Sequence, residues 1–243
     1  MTTSPSASAT FRTGVRDGLP IALGYVSVGF AFGMLAVKKG LPVWSPILIS
    51  ATNFTGTGQF VGIDLMEALV TLGELALTLL IVNLRYLLMS LSLSQRLDTR
   101  VTLAQRFFLA FGITDEVYAV SMQKEEPLTL RYLAGIMLCS YLGWVAGTCL
   151  GALVSGALPA SVQSALGIAL YAMFIAIIVP PAQTSRPILL VALLSVGLSS
   201  LFHWTPGLNR LSSGWVMILC GVISSAVGAA LFPVKTVEEE VET

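Results

Sequence analysis

Charged side chains lying deep within apolar segments are the residues of this chain that could do chemistry. Arg85 follows Asn83 in "IVNLRYLLMSLSL", and Asp115 and Glu116 are adjacent in "FFLAFGITDEVYAV". An ionisable group at the centre of a bilayer costs about 2.5–3.5 kcal/mol on insertion scales, so it needs a partner. We therefore predict that Arg85 pairs with Asp115. Such a carboxyl group can take up and release a proton, whereas a purely structural pair would only fix the helix register.

Helix geometry decides between the acidic residues near Arg85. Glu74 comes eleven residues earlier, so the helical rise alone separates the two by about 16 Å and excludes a direct pair. Glu116 lies about 100° around its helix from Asp115, and we expect it to face a different, more aqueous surface. Asn83, Arg85, Asp115 and Glu116 are therefore the candidates for ion or proton coupling.

A polar stretch, "TNFTGTGQF", interrupts another apolar segment at residues 52–60. Gly56 and Gly58 each weaken a continuous helix by about 1 kcal/mol relative to alanine, so we predict a break here. At a break the N–H groups of the following half-helix lose their partners, and the positive end of its dipole suits a carboxylate. Alternatively, the glycines only admit a neighbouring helix. The candidate binding residues are Asn53, Thr55, Gly56, Thr57, Gly58, Gln59 and Phe60.

The elements that must position these residues are membrane helices. Of the 243 residues 55% are hydrophobic and only 11% are charged, whereas soluble domains carry about a quarter charged residues. Spans must be helices or closed barrels, and these uniformly apolar runs lack the alternation of barrel strands. We predict an all-α integral membrane protein, a multi-pass bundle of about seven transmembrane helices in the cell membrane. Eight apolar segments recur, at 19–37, 43–63, 72–91, 103–122, 132–154, 162–179, 188–204 and 215–232.

One of these segments, 103–122, is expected to be re-entrant or partial. If it does not cross, placing the N-terminus outside puts most of the lysines and arginines of the loops in the cytoplasm, as is usual. Connections are short, so residues 19–232 are expected to form a single transmembrane domain. Residues 1–18 are an N-terminal tail and pre-helix, and 233–243 an acidic tail.

Glycines four residues apart predict close helix packing. They include Gly29 with Gly33, and Gly143 with Gly147 and Gly151. By itself this pattern supports a packed bundle and no particular function.

Several function classes find no support in the sequence. The 13 basic and 13 acidic residues balance, so no basic surface points to nucleic acid. The three cysteines lack metal-ligand spacing, and the single histidine, His203, is interpreted as an interfacial anchor. No catalytic constellation and no ATP-binding loop is present, so we predict neither an enzyme nor a cofactor or metal site.

Four stretches in order resemble the large subunit of the AzlC family of branched-chain amino-acid exporters. They are "TNFTGTGQF", "VNLRYLLMSLSL", "GITDEVYAV" and "YAMFIAIIVPP", and "GLPIALGYVSVGFAFGMLA" looks like that family's first helix. Where family members commonly show F-A-G-A-S-Q-F, this chain has Phe54 to Phe60 as "FTGTGQF". Family members often have histidine after Asn-Leu-Arg, but here Tyr86 follows, so no histidine-based proton step is expected at that position.

The resemblance implies a secondary exporter of branched-chain and related neutral amino acids that works with a small AzlD-like membrane subunit. The substrate would bind at the break, and Asp115 with Arg85 would couple binding to proton entry. The absence of an ATP-binding motif makes an ion gradient the natural energy source, and a proton gradient is expected. A passive channel for small solutes and a non-transporting scaffold subunit stay open as alternatives.

Overall fold

The computed structural model describes residues 10–156, 159, 161, 175 and 178–232. All the regular secondary-structure elements in these ranges are helices, which confirms the predicted all-α class. The chain divides into two compact units, one comprising Met1–Asp64 and Asn83–Ile168 and the other Leu65–Val82 and Ala169–Thr243. The predicted segment 162–179 and the acidic tail lie almost wholly outside the described residues.

The helices follow the apolar segments in order. They are α1 (Phe11–Lys38), α2 (Trp44–Thr52), α3 (Gly56–Glu67), α4 (Leu72–Gln95), α5 (Leu103–Phe111), α6 (Asp115–Met122), α7 (Leu130–Val154), α8 (Arg186–Trp204) and α9 (Ser213–Leu231). A short 3₁₀ turn, Leu208–Arg210, connects the last two. Among the described residues, α1, α4, α7, α8 and α9 are long and apolar enough to cross a membrane.

The first helix begins earlier than the apolar pattern indicated. The Thr10 side chain accepts a hydrogen bond from the Thr13 N–H, which caps the helix so that it starts at Phe11. The expected pre-helical stretch is therefore helical from residue 11 onward. Capping chemistry, rather than hydropathy, sets this boundary.

Two helices are broken. The break predicted near 53–60 is present at residues 53–55, between α2 and α3, and the glycines lie in the first turns of α3. Segment 103–122 is also two short helices, α5 of 9 residues and α6 of 8, separated by residues 112–114. Each half rises only about 12–14 Å, less than half of a hydrocarbon core.

In the first unit, α1 and α7 pack backbone against backbone. A Cβ atom at Gly33 would lie 2.2 Å from the Thr148 carbonyl oxygen, and one at Gly151 would lie 2.0 Å from that of Phe30. The predicted close packing of these glycines is therefore confirmed. In lipid, where apolar side chains gain little by leaving the solvent, such contacts supply the van der Waals packing between helices.

In the second unit, the carboxylate of Glu74 binds the start of α9. It accepts a hydrogen bond from the Ser212 hydroxyl, and a Cβ atom at Gly214 would lie 2.6 Å from its Oε1 atom. Glu74 thus has its own partner there, in agreement with the exclusion of a pair with Arg85.

Replacing Gly33 by alanine should lower the free energy of unfolding by about 1–3 kcal/mol, because the new methyl group forces α1 away from α7. The matched control is Gly24→Ala on the same helix, where a Cβ atom meets nothing within 4 Å. Thermal unfolding in detergent measures both variants. Equal melting temperatures for the two would contradict the packing described here.

Candidate functional site

The side chain of Gln59 holds the first break together. Its Oε1 atom accepts hydrogen bonds from the Ser50 hydroxyl and the Trp144 indole N–H, each at 3.1 Å. Its Nε2 atom donates to the backbone carbonyl of Asn53 inside the break. Gln59 is 2% exposed, so its amide links α2, α3 and α7 in the core.

A tyrosine satisfies a second backbone group at this break. The Tyr141 hydroxyl on α7 donates to the Ala51 carbonyl near the end of α2, at 2.8 Å. The last carbonyls of a helix have no partner within it, and an unpaired one is costly in lipid. The break is therefore stabilised from α7 on both sides.

The first turn of α3 carries no anionic side chain of its own. By helix geometry the N–H groups of Gly56, Thr57 and Gly58 have no acceptor within the helix. The Thr55 hydroxyl donates instead to the Asn53 amide oxygen, at 2.7 Å. Gly58 lets the Asn83 amide come close, since a Cβ atom there would lie 2.9 Å from its nitrogen. This positive helix end is suited to an external anion.

The second break is capped from within the chain. The Thr114 hydroxyl accepts a hydrogen bond from the Val117 N–H, at 3.3 Å. Asp115 and Glu116 occupy the first turn of α6, where carboxylates interact favourably with the helix dipole. The two half-helices thus differ: α6 supplies its own negative charge, and α3 does not.

Arg85 on α4 contacts the first turns of both α3 and α6. Its Nη1 atom lies 2.8 Å from the Asp115 carboxylate, so the predicted ion pair is present. Its Nη2 atom donates to the Thr57 hydroxyl at 3.0 Å and to the Tyr86 hydroxyl at 3.3 Å. The Arg85 and Asp115 side chains are 37% and 40% exposed, which leaves the pair accessible.

Two buried polar atoms at this place lack a hydrogen-bond partner. They are the Asn83 Oδ1 atom and the Arg85 Nε atom. Buried polar atoms are paired in most proteins, so an exception calls for an explanation. Here an acceptor and a donor from α4 stay open beside the first turn of α3.

Glu116 faces α1, whereas Asp115 faces α4, as their positions about 100° apart on one helix indicated. The Glu116 carboxylate accepts a hydrogen bond from the Tyr25 hydroxyl of α1. The same hydroxyl lies 2.8 Å from the Thr114 hydroxyl. The two adjacent carboxylates therefore have different partners, a cationic one for Asp115 and a neutral one for Glu116.

Aromatic rings connect the two breaks. Phe54, within the first break, packs edge-on against Tyr25, Tyr141 and Trp144, with ring centroids 5.8, 5.6 and 6.4 Å away. Phe111, the last residue of α5, packs against Tyr141 at 5.9 Å. This cluster places an apolar surface beside the polar groups of both half-helices.

The structure brings together the predicted residues of the first break and α3, and Arg85 links Thr57 to Asp115. The Phe60 ring is buried against Phe32 of α1, at 5.4 Å, one turn further along α3. Sequence reasoning missed Tyr25, Tyr141 and Trp144. Their signal was a hydroxyl or indole N–H within an apolar helix, because such a group needs a polar partner when buried.

These residues lie in the part of the chain with known relatives. The AzlC protein family matches residues 20–158, more than half of the chain. The chain belongs to the AzlC family. Both breaks, Arg85 and α7 fall inside the matched range. The family membership predicted from the motifs is thereby confirmed.

The relatives of this AzlC protein are membrane proteins. The inner membrane protein YgaZ of Escherichia coli (strain K12) is 30% identical over 230 residues, which cover 91% of this chain and 92% of YgaZ. An uncharacterized membrane protein of Archaeoglobus fulgidus is 37% identical over 184 residues, 73% of this chain and 78% of that protein. The branched-chain amino acid transport protein AzlC of Bacillus subtilis (strain 168) is 29% identical over 147 residues, 59% and 57% of the two chains. No solved structure matches this chain. With its long apolar helices, this AzlC protein is a multi-pass protein of the cell membrane.

Replacing Gln59 by leucine should destabilise the protein by about 1–3 kcal/mol, since the Trp144 indole N–H and the Asn53 carbonyl lose a buried partner. Thr52→Val is the matched control, because the Thr52 hydroxyl is exposed and bonds only to carbonyls of its own helix. Unfolding in detergent, followed by tryptophan fluorescence, measures the difference. A Gln59→Leu protein as stable as the control would show that the amide does not hold the break.

Proposed function

We propose that this AzlC protein is a secondary transporter that exports branched-chain and related neutral amino acids, driven by a proton gradient. Family membership supports transport, and the Bacillus subtilis relative is named a branched-chain amino acid transport protein. Export, proton coupling and a small AzlD-like membrane subunit are the finer parts of the proposal. The observation that carries it is the meeting of two broken helices at Arg85.

Broken helices are the usual way in which secondary transporters expose backbone groups to a substrate. Non-helical backbone is tolerated at membrane depth only where protein covers it or water reaches it, and half-helix N-termini point at anionic substrate groups. In this chain both half-helices begin at one guanidinium, through the Thr57 hydroxyl of α3 and the Asp115 carboxylate of α6. The arrangement therefore suits a small charged molecule.

Of the two half-helices, α3 is the one proposed to bind the substrate carboxylate. Its first turn carries no acid, and the Thr55 hydroxyl is turned toward Asn53. The first turn of α6, in contrast, carries Asp115 and Glu116. A substrate carboxylate would be attracted to the first helix end and repelled by the second.

The apolar side chain of the substrate is proposed to lie against the aromatic cluster. Phe54 sits inside the first break and contacts rings from α1 and α7. Such a wall binds a branched aliphatic group through its apolar surface, at about 25 cal/mol for each Å² buried. Charged side chains would lose their hydration there, which favours neutral amino acids.

Asp115, together with Arg85, is proposed to couple transport to proton entry, with Glu116 and Asn83 beside them. Intramembrane carboxylates commonly form proton pathways in transporters.

A channel, the first alternative to a transporter, would use the same polar residues but could not concentrate its solute. A scaffold subunit would keep Arg85 and Asp115 only as a structural pair.

The Asp115→Asn variant should lose gradient-driven efflux of valine, by roughly tenfold or more, because an amide cannot take up a proton. The protein is reconstituted in liposomes with the proposed small subunit, and efflux is measured against an imposed pH gradient. Asp98→Asn, in the loop after α4, is the matched control. Undiminished accumulation of valine against its own gradient in Asp115→Asn would remove this residue from the coupling step.

The Gly58→Ala variant should weaken valine binding by roughly tenfold, which corresponds to about 1.4 kcal/mol. Its new methyl group would lie 2.7 Å from the Thr55 hydroxyl and 2.9 Å from the Asn83 amide, which displaces groups of the proposed site. Gly221→Ala on α9, where a Cβ atom meets nothing within 4 Å, is the control. Binding is measured by calorimetry on the purified protein, and unchanged affinity in folded Gly58→Ala would limit the first break to packing.

A further inference from the structure

We propose that the Arg85–Asp115 ion pair is itself the receptor for the substrate head group. The pair opens, Arg85 binds the α-carboxylate, and Asp115 binds the α-ammonium group of the same molecule. This inference rests on the proposed function and assigns the two charges of the amino-acid substrate to two residues. The ligand is a zwitterion with both charges on one carbon atom.

The position of the guanidinium favours this assignment. Its Nη2 atom donates to the Thr57 hydroxyl in the first turn of α3, so Arg85 already lies beside the helix end that suits a carboxylate. Its Nη1 atom lies 2.8 Å from Asp115 in the first turn of α6. A molecule bound between the two half-helices would therefore meet a cation on one side and an anion on the other.

The guanidinium also has donor capacity to spare. Its Nε–H is buried without a partner. The Nη2 group on the same edge already donates to the Thr57 and Tyr86 hydroxyls, so a carboxylate would be bound through the Nη1 group that Asp115 releases when the pair opens. The Asn83 Oδ1 atom, an open acceptor on the same helix, is available to the ammonium group.

The contacts of the two carboxylates show which of them can release its partner. Glu116 accepts a hydrogen bond from Tyr25, which lies in the tightly packed helix α1. Asp115 pairs with the long, half-exposed side chain of Arg85, which can move without displacing a helix. The Thr114 cap keeps α6 helical when Arg85 moves.

Charge balance makes the exchange specific. In the empty site the arginine and aspartate neutralise each other, and in the occupied site each of them faces the opposite charge of the zwitterion. Neither of these two states leaves a charge unpaired within the membrane, and the proposed proton uptake by Asp115 belongs to the step between them, when the ammonium group leaves the carboxylate. A carboxylic acid without the ammonium group would leave Asp115 unpaired, and an amine without the carboxylate would leave Arg85 unpaired. An ionic group without a counter-charge is unfavourable within a membrane.

The experiment is competition against labelled valine on the full-length protein, reconstituted with its small subunit. Isovalerate retains the valine side chain and carboxylate but lacks the ammonium group, and isobutylamine lacks the carboxylate. Unlabelled valine should compete, and each analogue should bind at least about a hundredfold more weakly. Isovalerate competing as well as valine, in a protein that transports valine, would overturn this inference and leave the proposed function intact.

Two variants should each remove the discrimination against one of the two analogues. In Asp115→Asn the carboxylate that demands an ammonium group is gone, so isovalerate should bind at least as well as valine when the binding of each is measured directly by calorimetry. In Arg85→Gln the same should hold for isobutylamine, and Asp98→Asn should behave as the unmodified protein. Analogues that stay equally weak in both folded variants would overturn the inference. A protein that binds no valine with its small subunit present would overturn the proposed function, and the inference with it.

Discussion

A guanidinium group cannot remain unpaired in a hydrocarbon environment, and the arrangement around Arg85 follows from that constraint. Helix α4 holds the side chain between two other elements, and each of them is interrupted where it reaches the guanidinium. Break 112–114 allows α6 to begin at Asp115, which supplies the counter-charge at 2.8 Å. Break 53–55 allows α3 to begin nearby and brings the Thr57 hydroxyl to the same group. Both contacts to Arg85 come from side chains, since the positive N-terminal end of a helix does not itself attract a cation.

Breaking a helix in a membrane exposes backbone groups that lipid cannot satisfy, and the surrounding side chains compensate for most of them. Gln59, Tyr141 and Thr114 each bind a backbone group at a break. These three side chains are therefore committed to the structure. Beside α3, the buried Asn83 Oδ1 and Arg85 Nε atoms are left without partners. Some polar side chains at the breaks therefore stabilise the backbone, whereas others are available to a ligand.

The features predictable from the sequence were those set by local free energies. The cost of intramembrane charge pointed to the Arg85–Asp115 pair, and the low helix propensity of glycine pointed to the break before α3. The second break was expected only as a partial segment, because a single Gly112 gives a weak signal. The contact between Glu116 and Tyr25 was not predictable. It depends on how α1 and α6 are placed relative to each other, which no local pattern within either helix encodes.

The glycines of α1 and α7 have a mechanical consequence. Each helix receives carbonyl oxygens of the other in gaps where even a methyl group would clash, with a Cβ atom at Gly147 only 2.3 Å from the Val26 oxygen. Two cylinders meshed in this way can neither slide nor roll past one another without steric overlap. They form one rigid pair, and residues 53–55 and 112–114 are the places beside it where a helix is interrupted. Tyr25 of α1 and Trp144 of α7 connect this pair to the half-helices through Glu116 and Gln59.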